Sequence, residues 1–338
     1  SLDVFRDWSE LVGGSCGFEA CGAVRLVSPP NAERLRANVL MLQSLGVNTR
    51  VLTPAELHDL APRCNVDDVG LAAYEPDSGC CDPVATTYGF ARRAQESGAR
   101  FRLGVRVTDV RVRGGRVVGV DTTDGLFEAE RVILATGPWT GQLLGRLGVE
   151  VELVPVRVQV VVFHLPPGLE DHRLVYLDGV ADQWLRPMPG ACILAGTGAF
   201  RYELHADPDN FSEHPSPGYV ERARQTVARR LPAMTQAPMR GGWAGVVAAS
   251  ADGKPIFDAV PGVDGLVFAA ADNGSSFKTA PAIGLGLAEW VLQGGARSVD
   301  LDPFRLARFA EGAPLRGEHE YDERPLRSQV VGAGVRPI

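Results

Sequence analysis

Lysine is scarce in this chain: of 34 basic residues only Lys254 and Lys278 are lysines, and arginine supplies the rest. Lys278 stands in a stretch, Gly265 to Gly295, whose residue types suit the binding of an anion or of an electron-rich ring edge. Leu266 to Ala271 is an apolar run with the length of a buried strand. Asp272, Asn273, Gly274, Ser275 and Ser276 then form a small polar turn, and Phe277 and Lys278 follow. Pro281 marks the first turn of a helix, where its missing N–H costs nothing. Ile283, Leu287, Trp290 and Val291 recur at helical spacing, and Gly294-Gly295 ends the run. A strand, a small-residue turn and a helix N-terminus gather backbone N–H groups around one point, and a lysine at the mouth adds a full charge.

Two other places have residue types with chemical use. Arg131 to Leu134 reads as a buried strand, and Ala135-Thr136-Gly137 after it lets the backbone pass close to a phosphate or ribose, because glycine adds no side chain. Arg186, in Trp184-Leu185-Arg186-Pro187, could grip a carboxylate through two parallel hydrogen bonds or serve in a structural ion pair. The six histidines are scattered with no metal or nucleophile–base spacing, and the six cysteines form no CxxC pair, so no metal is expected. The cysteines read as reduced cytosolic thiols, which makes the expected location cytoplasmic.

These segments together resemble the D-amino acid oxidase-type (DAO) FAD-dependent oxidoreductases, nearest to glycine oxidase, sarcosine oxidase and the beta subunit of heterotetrameric sarcosine oxidase. Asn273-Gly274-Ser275-Ser276-Phe277-Lys278-Thr279-Ala280-Pro281 is similar to that family's C-terminal flavin-contacting segment. Ala135-Thr136-Gly137 with Trp139 resembles its turn at the FAD pyrophosphate, and Val107 matches the position whose backbone meets the adenine. Trp243, in Gly242-Trp243-Ala244-Gly245, with Asp252-Gly253-Lys254-Pro255, matches a block near the family's substrate.

The resemblance implies non-covalent FAD and a small amino-acid-like substrate. Its C–N bond would be oxidised by hydride transfer to flavin N5, with Lys278, Arg186 and Trp243 at the reacting centre. Three departures accompany it. Val246-Val247-Ala248-Ala249 stands where glycine oxidase-like members carry a carboxylate-binding arginine, which moves that role to Lys278. Cys81 stands where the sarcosine oxidase beta subunit links flavin through histidine, and it reads as an ordinary loop thiol, a reactive one being the alternative. The family's opening GxGxxG is nowhere in these residues. Two alternatives stay open: a flavin-free relic or partner subunit without catalysis, and an FAD dehydrogenase of another small acid.

The elements that must position these residues follow from composition and pattern. The 338 residues suffice for two domains, and 45% hydrophobic with 22% charged residues fits a globular chain. A net charge of −7 argues against a nucleic-acid partner, and no apolar run is long enough to span a membrane. The expected fold is α/β in two domains. One is a three-layer FAD-binding domain lacking its first βαβ and built from 1–14, 74–152 and 251–312. The other is an antiparallel-sheet substrate domain from 15–73 and 153–250, and 313–338 forms a C-terminal tail. Phe5, Trp8, Leu11 and Val12 read as the last turns of a helix, so the chain is expected to be a fragment or a processed form. Helices are expected from Asn31, Thr53 and Asp82, each with a capping side chain or an early proline, and strands over 100–103 and 105–112. Homo- or hetero-oligomers are both compatible with this reading.

Overall fold

The computed structural model describes residues 1–198 and 203–322. The part of the C-terminal tail from 323 to 338 therefore lies outside the described residues. Among the described residues, fifteen strands form three sheets. Strands β1 (Ala23–Val27), β2 (Arg50–Leu52) and β3 (Leu71–Glu75) come first, then β4 (Val107–Arg113), β5 (Arg116–Thr122), β6 (Gly125–Glu128) and β7 (Val132–Leu134). The long β8 (Val154–His164), β9 (Val175–Asp178), β10 (Gln183–Met188), β11 (Cys192–Thr197), β12 (Glu203–Leu204) and β13 (Met239–Ala249) follow, and β14 (Ile256–Ala259) and β15 (Leu266–Ala270) close the series.

The nine-stranded sheet runs β12-β8-β11-β10-β9-β1-β3-β2, with β13 also paired to β8. It is mixed: β1 and β9 are parallel, and its other pairs are antiparallel. A second sheet, β14-β15-β7, has β15 parallel to β7, and β4-β5-β6 is an antiparallel meander. The fold is thus α/β, as the sequence suggests.

The helices are α1 (Leu2–Arg6), α2 (Trp8–Leu11), α3 (Ala32–Ser44), α4 (Pro54–Leu60), α5 (Pro83–Glu96), α6 (Thr140–Arg146), α7 (Pro217–Arg230) and α8 (Ala280–Gln293). Local chemistry sets their ends. Thr53 and Glu56 close a capping box on α4, Asp82 accepts the Ala85 N–H at 2.8 Å, and Gly294 ends α8 at φ +80°. Asn31 precedes α3 but does not cap it through its side chain, which instead accepts from Arg34 and from the Asp322 N–H at 2.9 Å. Residues 100–103 are not a strand. Gly98 and Gly104 turn the chain on either side at φ +95° and +75°, and Leu103, 86% exposed, has no sheet to pack on.

One face of the large sheet carries the main core: Val161, Phe163, Tyr176, Leu185 and Ile193 pack against Tyr219, Ala223 and Val227 of α7. Period-2 alternation sends the other face of β8 away from this core. A second core joins Val110 and Val117 of the meander to Leu134 of β7 and Phe268 of β15. Arg230 is buried in the first core, with Nε 2.8 Å from an equally buried Asp178 carboxylate oxygen. Among the described residues no helix is long and apolar enough to cross a membrane, and no three His, Cys, Asp or Glu gather as metal ligands.

The same core makes a prediction about acid. The His172 ring stacks on Tyr176 with centroids 5.3 Å apart, its Nε2 is buried without a hydrogen-bond partner, and burial holds its pKa down to about 4. The unfolded chain takes up this proton first, so stability is full above the ordinary value near 6.5 and falls as pH drops towards 4. We expect denaturant unfolding to lose about 2–3 kcal/mol over that window from this group. His172→Phe should flatten that part of the profile, and an unchanged slope would contradict the assignment.

Candidate active site

β7 and β15 run parallel and in register, with Phe268 opposite Leu134, so the turns that follow them leave the same end of the sheet. In open α/β sheets, ligands bind outside the carboxyl ends of the strands. After β15, Ala271, Asn273 and Gly274 all lie in the left-handed region, at φ +54°, +51° and +65°. Two of these are not glycine, and such residues cost of order 1–3 kcal/mol each, so the surroundings must impose them. Asn273 does much of this. Its N–H donates to the Ala248 carbonyl at 3.1 Å, its Oδ1 accepts the Ser250 N–H at 3.2 Å, and its Nδ2 donates to the Ala271 carbonyl. The turn is thereby pinned to the end of β13. Ser275 closes it, donating from both N–H and Oγ to the Asp272 carbonyl at 2.9 and 3.0 Å. A 3-10 turn, Ser276–Thr279, then leads into α8.

The turn after β7 is built similarly. Gly137 sits at φ +51°, the Trp139 N–H donates to the Thr136 carbonyl at 3.0 Å, and the Thr136 and Thr140 hydroxyls share a hydrogen bond of 2.9 Å. A side chain at Gly137 would meet nothing within 4 Å, and one at Gly274 only Val247 at 3.8 Å, so at both turns the backbone is open to close approach.

A cleft of about 2190 Å³ opens between the turn 273–275, the segment 306–322 and the face of the large sheet opposite α7. That volume exceeds the roughly 300–1,000 Å³ of an ordinary small-molecule pocket. Both lysines of the chain, Lys254 and Lys278, line it, with Trp184, Val247 and Tyr219. The Lys278 Nζ donates to the Ser275 carbonyl at 2.9 Å on an exposed side chain. The register explains the wall. Trp184 lies opposite Gly196 on β11 and Leu177 on β9, and Leu177 lies opposite Arg25 on β1. Trp243 lies opposite Val160, and Gly245 and Val247 extend its row along β13, on the same face as Val158 and Val156.

Other expected site residues are placed less centrally. Trp243 is 46% exposed at the end of its row, and Trp139 donates from Nε1 to Asp209 at 3.3 Å. Phe277 stacks on Phe5 of α1 with centroids 5.8 Å apart. Val107 begins the meander with its side chain packed into the second core. Arg186, opposite Leu194, stands beside the Cys80 thiol.

Sequence reasoning missed Trp184 as a wall residue and Asn273 as a clamp. A glycine inside an apolar strand was the available signal for the first: a Cβ at Gly196 would lie 2.3 Å from the Trp184 indole. We therefore expect Gly196→Ala to fold with a loss of about 1–3 kcal/mol and to tilt Trp184 off the sheet. Near-UV circular dichroism, compared with Trp184→Phe, should show the change, and an unaltered spectrum would contradict it.

Comparison with known proteins agrees with this geometry. Residues 1–290 match the family described as FAD dependent oxidoreductase (DAO). The chain is 26% identical over 300 residues to the glycine oxidase of Geobacillus kaustophilus, covering 88% of this chain and 76% of that protein. It is 26% identical over 272 residues to sarcosine oxidase subunit beta of Rhodobacter capsulatus, covering 79% of this chain and 63% of that protein. Among solved structures, L-proline dehydrogenase from P. horikoshii has the same fold with a TM-score of 0.82 at 22% identity, over 93% of this chain and 82% of that one.

Proposed function

The chain belongs to the FAD dependent oxidoreductase (DAO) family, whose cofactor is FAD, and from that premise we propose that it oxidises the C–N bond of an amino acid or N-methyl amino acid. Supporting this, a strained turn at the carboxyl end of two parallel strands faces a cleft that holds a tryptophan wall and a lysine. The residues present fit the cofactor: two turns with open backbone stand side by side, where a pyrophosphate and a ring edge could approach without side-chain obstruction. FAD held by these two turns would supply hydride acceptance from the carbon beside the substrate nitrogen.

The chain's own part is binding and orientation. Lys278 holds the substrate carboxylate through a charge-assisted hydrogen bond. Trp184 packs on the carbon skeleton and, together with Val247, keeps water from the reacting carbon. Asn273 fixes the turn whose N–H groups favour negative charge on the ring edge. Arg186 and Trp243 stand further along the same sheet, where they bear on longer substrates. A cytoplasmic setting and assembly with a second copy or another subunit belong to the same proposal.

The glycine oxidase and the sarcosine oxidase subunit named above suggest which substrates to try first. Product analysis tests the proposal: the FAD-loaded protein, given sarcosine with an electron acceptor, should release formaldehyde or glyoxylate in step with acceptor reduction. Reduction with a hydroxy acid and with no amine tried would favour a dehydrogenase of another small acid.

A further inference from the structure

Four of the six cysteines, none in a disulfide, lie on two strips of chain that run side by side, Cys16 to Cys21 before β1 and Cys80 to Cys81 after β3. Backbone hydrogen bonds hold the strips together. Glu19 and Cys80 exchange N–H and carbonyl at 2.9 and 3.1 Å, the Gly22 N–H reaches the Ser78 carbonyl at 2.8 Å, and the Asp82 N–H reaches the Cys16 carbonyl at 2.9 Å. The approach is so close that a Cβ on Gly79 would lie 1.8 Å from the Glu19 carbonyl oxygen. Within this clamp Glu19 stands opposite Cys80 and Cys21 lies two residues further along the same strip, which makes the two thiols neighbours. The Cys80 thiol also reaches the Pro187 carbonyl at 4.0 Å, and both side chains are half-buried, so a small solute can reach them.

Their surroundings differ from those of the remaining thiols. The hydrogen bond from Cys21 and the nearby Arg186 guanidinium bring the Cys80 pKa down to about 7, against the opposing pull of burial and Glu19, and Cys21 is raised in turn. Cys81 and Cys64 are pushed up to about 11 by burial. A thiolate is the nucleophile in thiol chemistry, and a partner thiol already in contact is what resolves its first oxidation product.

We propose that Cys21 and Cys80 are a peroxide-sensitive dithiol that closes to a disulfide and staples the strip before β1 to the strip after β3. The Cys80 thiolate attacks hydrogen peroxide: an S–O bond forms, the O–O bond breaks, and hydroxide leaves and is protonated to water. The Cys21 sulfur then attacks the Cys80 sulfenic acid: the S–S bond forms, the S–O bond breaks, and the thiol proton leaves with the oxygen as a second water. Two thiols are oxidised by two electrons, and one peroxide becomes two waters. The disulfide closes the loop that carries β1 to β3, removing conformational freedom from the unfolded chain.

The test treats the reduced full chain with a small molar excess of hydrogen peroxide, then counts thiols after denaturation and maps disulfide-linked peptides. We expect two thiols lost, one linked peptide joining Cys21 to Cys80, a rise in melting temperature of about 5 °C, and reversal of all three by dithiothreitol. In Cys21→Ser the link should be absent and Cys80 should be trapped as its dimedone adduct, while Cys81→Ser should behave as the unaltered chain. Six thiols surviving in the unaltered chain, or a link between any other pair, would overturn the proposal. That mapping needs no variant, so it decides the matter even where a serine variant fails to fold.

Discussion

Lys278→Met should raise the substrate concentration needed for half-maximal flavin reduction by roughly 10- to 150-fold, the equivalent of the 1.5–3 kcal/mol carried by a hydrogen bond to a charged group. The fold should survive. Lys278 is exposed, and the carbonyl of Ser275 that it bonds at 2.9 Å can take up water in its place. The limiting rate at saturating substrate should fall much less than the affinity, because the carboxylate is held equally in the ground and transition states. Lys278→Arg should recover part of the loss, since it restores charge but not the compact ammonium. Equal affinities for the methionine variant and the unaltered protein would remove Lys278 from the substrate site.

The second large effect is on stability. Arg230 and Asp178 form a fully buried pair, with contacts at 2.8 and 3.2 Å, and Arg230 also forms an ion pair with Asp68 at 3.0 Å and donates to the Asn65 carbonyl. Asp178 accepts the Val180 and Ala181 N–H groups as well, at 3.1 and 3.0 Å. Arg230→Met leaves the aspartate charge buried without its partner, so we expect a loss of about 3–5 kcal/mol. Differential scanning calorimetry should show a melting temperature lower by roughly 10 °C. Replacing both partners, as Arg230→Met with Asp178→Leu, should cost less than the single change, because the fully buried Asp178 charge is no longer stranded and the remaining partner, Asp68, has a side chain 37% exposed to water. A double variant as unstable as the single one would show that the shape of the pair matters more than its charge.

The elements around the site were largely legible in the sequence. The apolar run Leu266 to Ala270, the polar turn and the proline-started helix ending at Gly294 carry strong local signals, and each appears where those signals put it. Thr53-Pro54-Ala55-Glu56 was equally plain, since a capping box depends only on residues one turn apart. Long-range register was not legible. Alternation says that Trp184 and Arg186 share a face, but not that Gly196 lies under the indole or that Cys80 sits beside the guanidinium. Asn273 stood out as part of the turn that resembles the family's flavin-contacting segment, but its clamp on Ser250 depends on β13, a strand distant in sequence. The false strand at 100–103 shows the same limit from the other side: alternation was present there, but no partner strand was.

The proposal rests on a cleft in which FAD and an amino-acid-like amine meet. Anaerobic mixing of the FAD-loaded protein with sarcosine, followed through the flavin absorbance, tests that meeting without any electron acceptor. Bleaching of the oxidised bands, with a rate that saturates in sarcosine or in a related amino acid, is the result predicted here. A protein that retains FAD through gel filtration yet stays fully oxidised with every amino acid and N-methyl amino acid offered would contradict it.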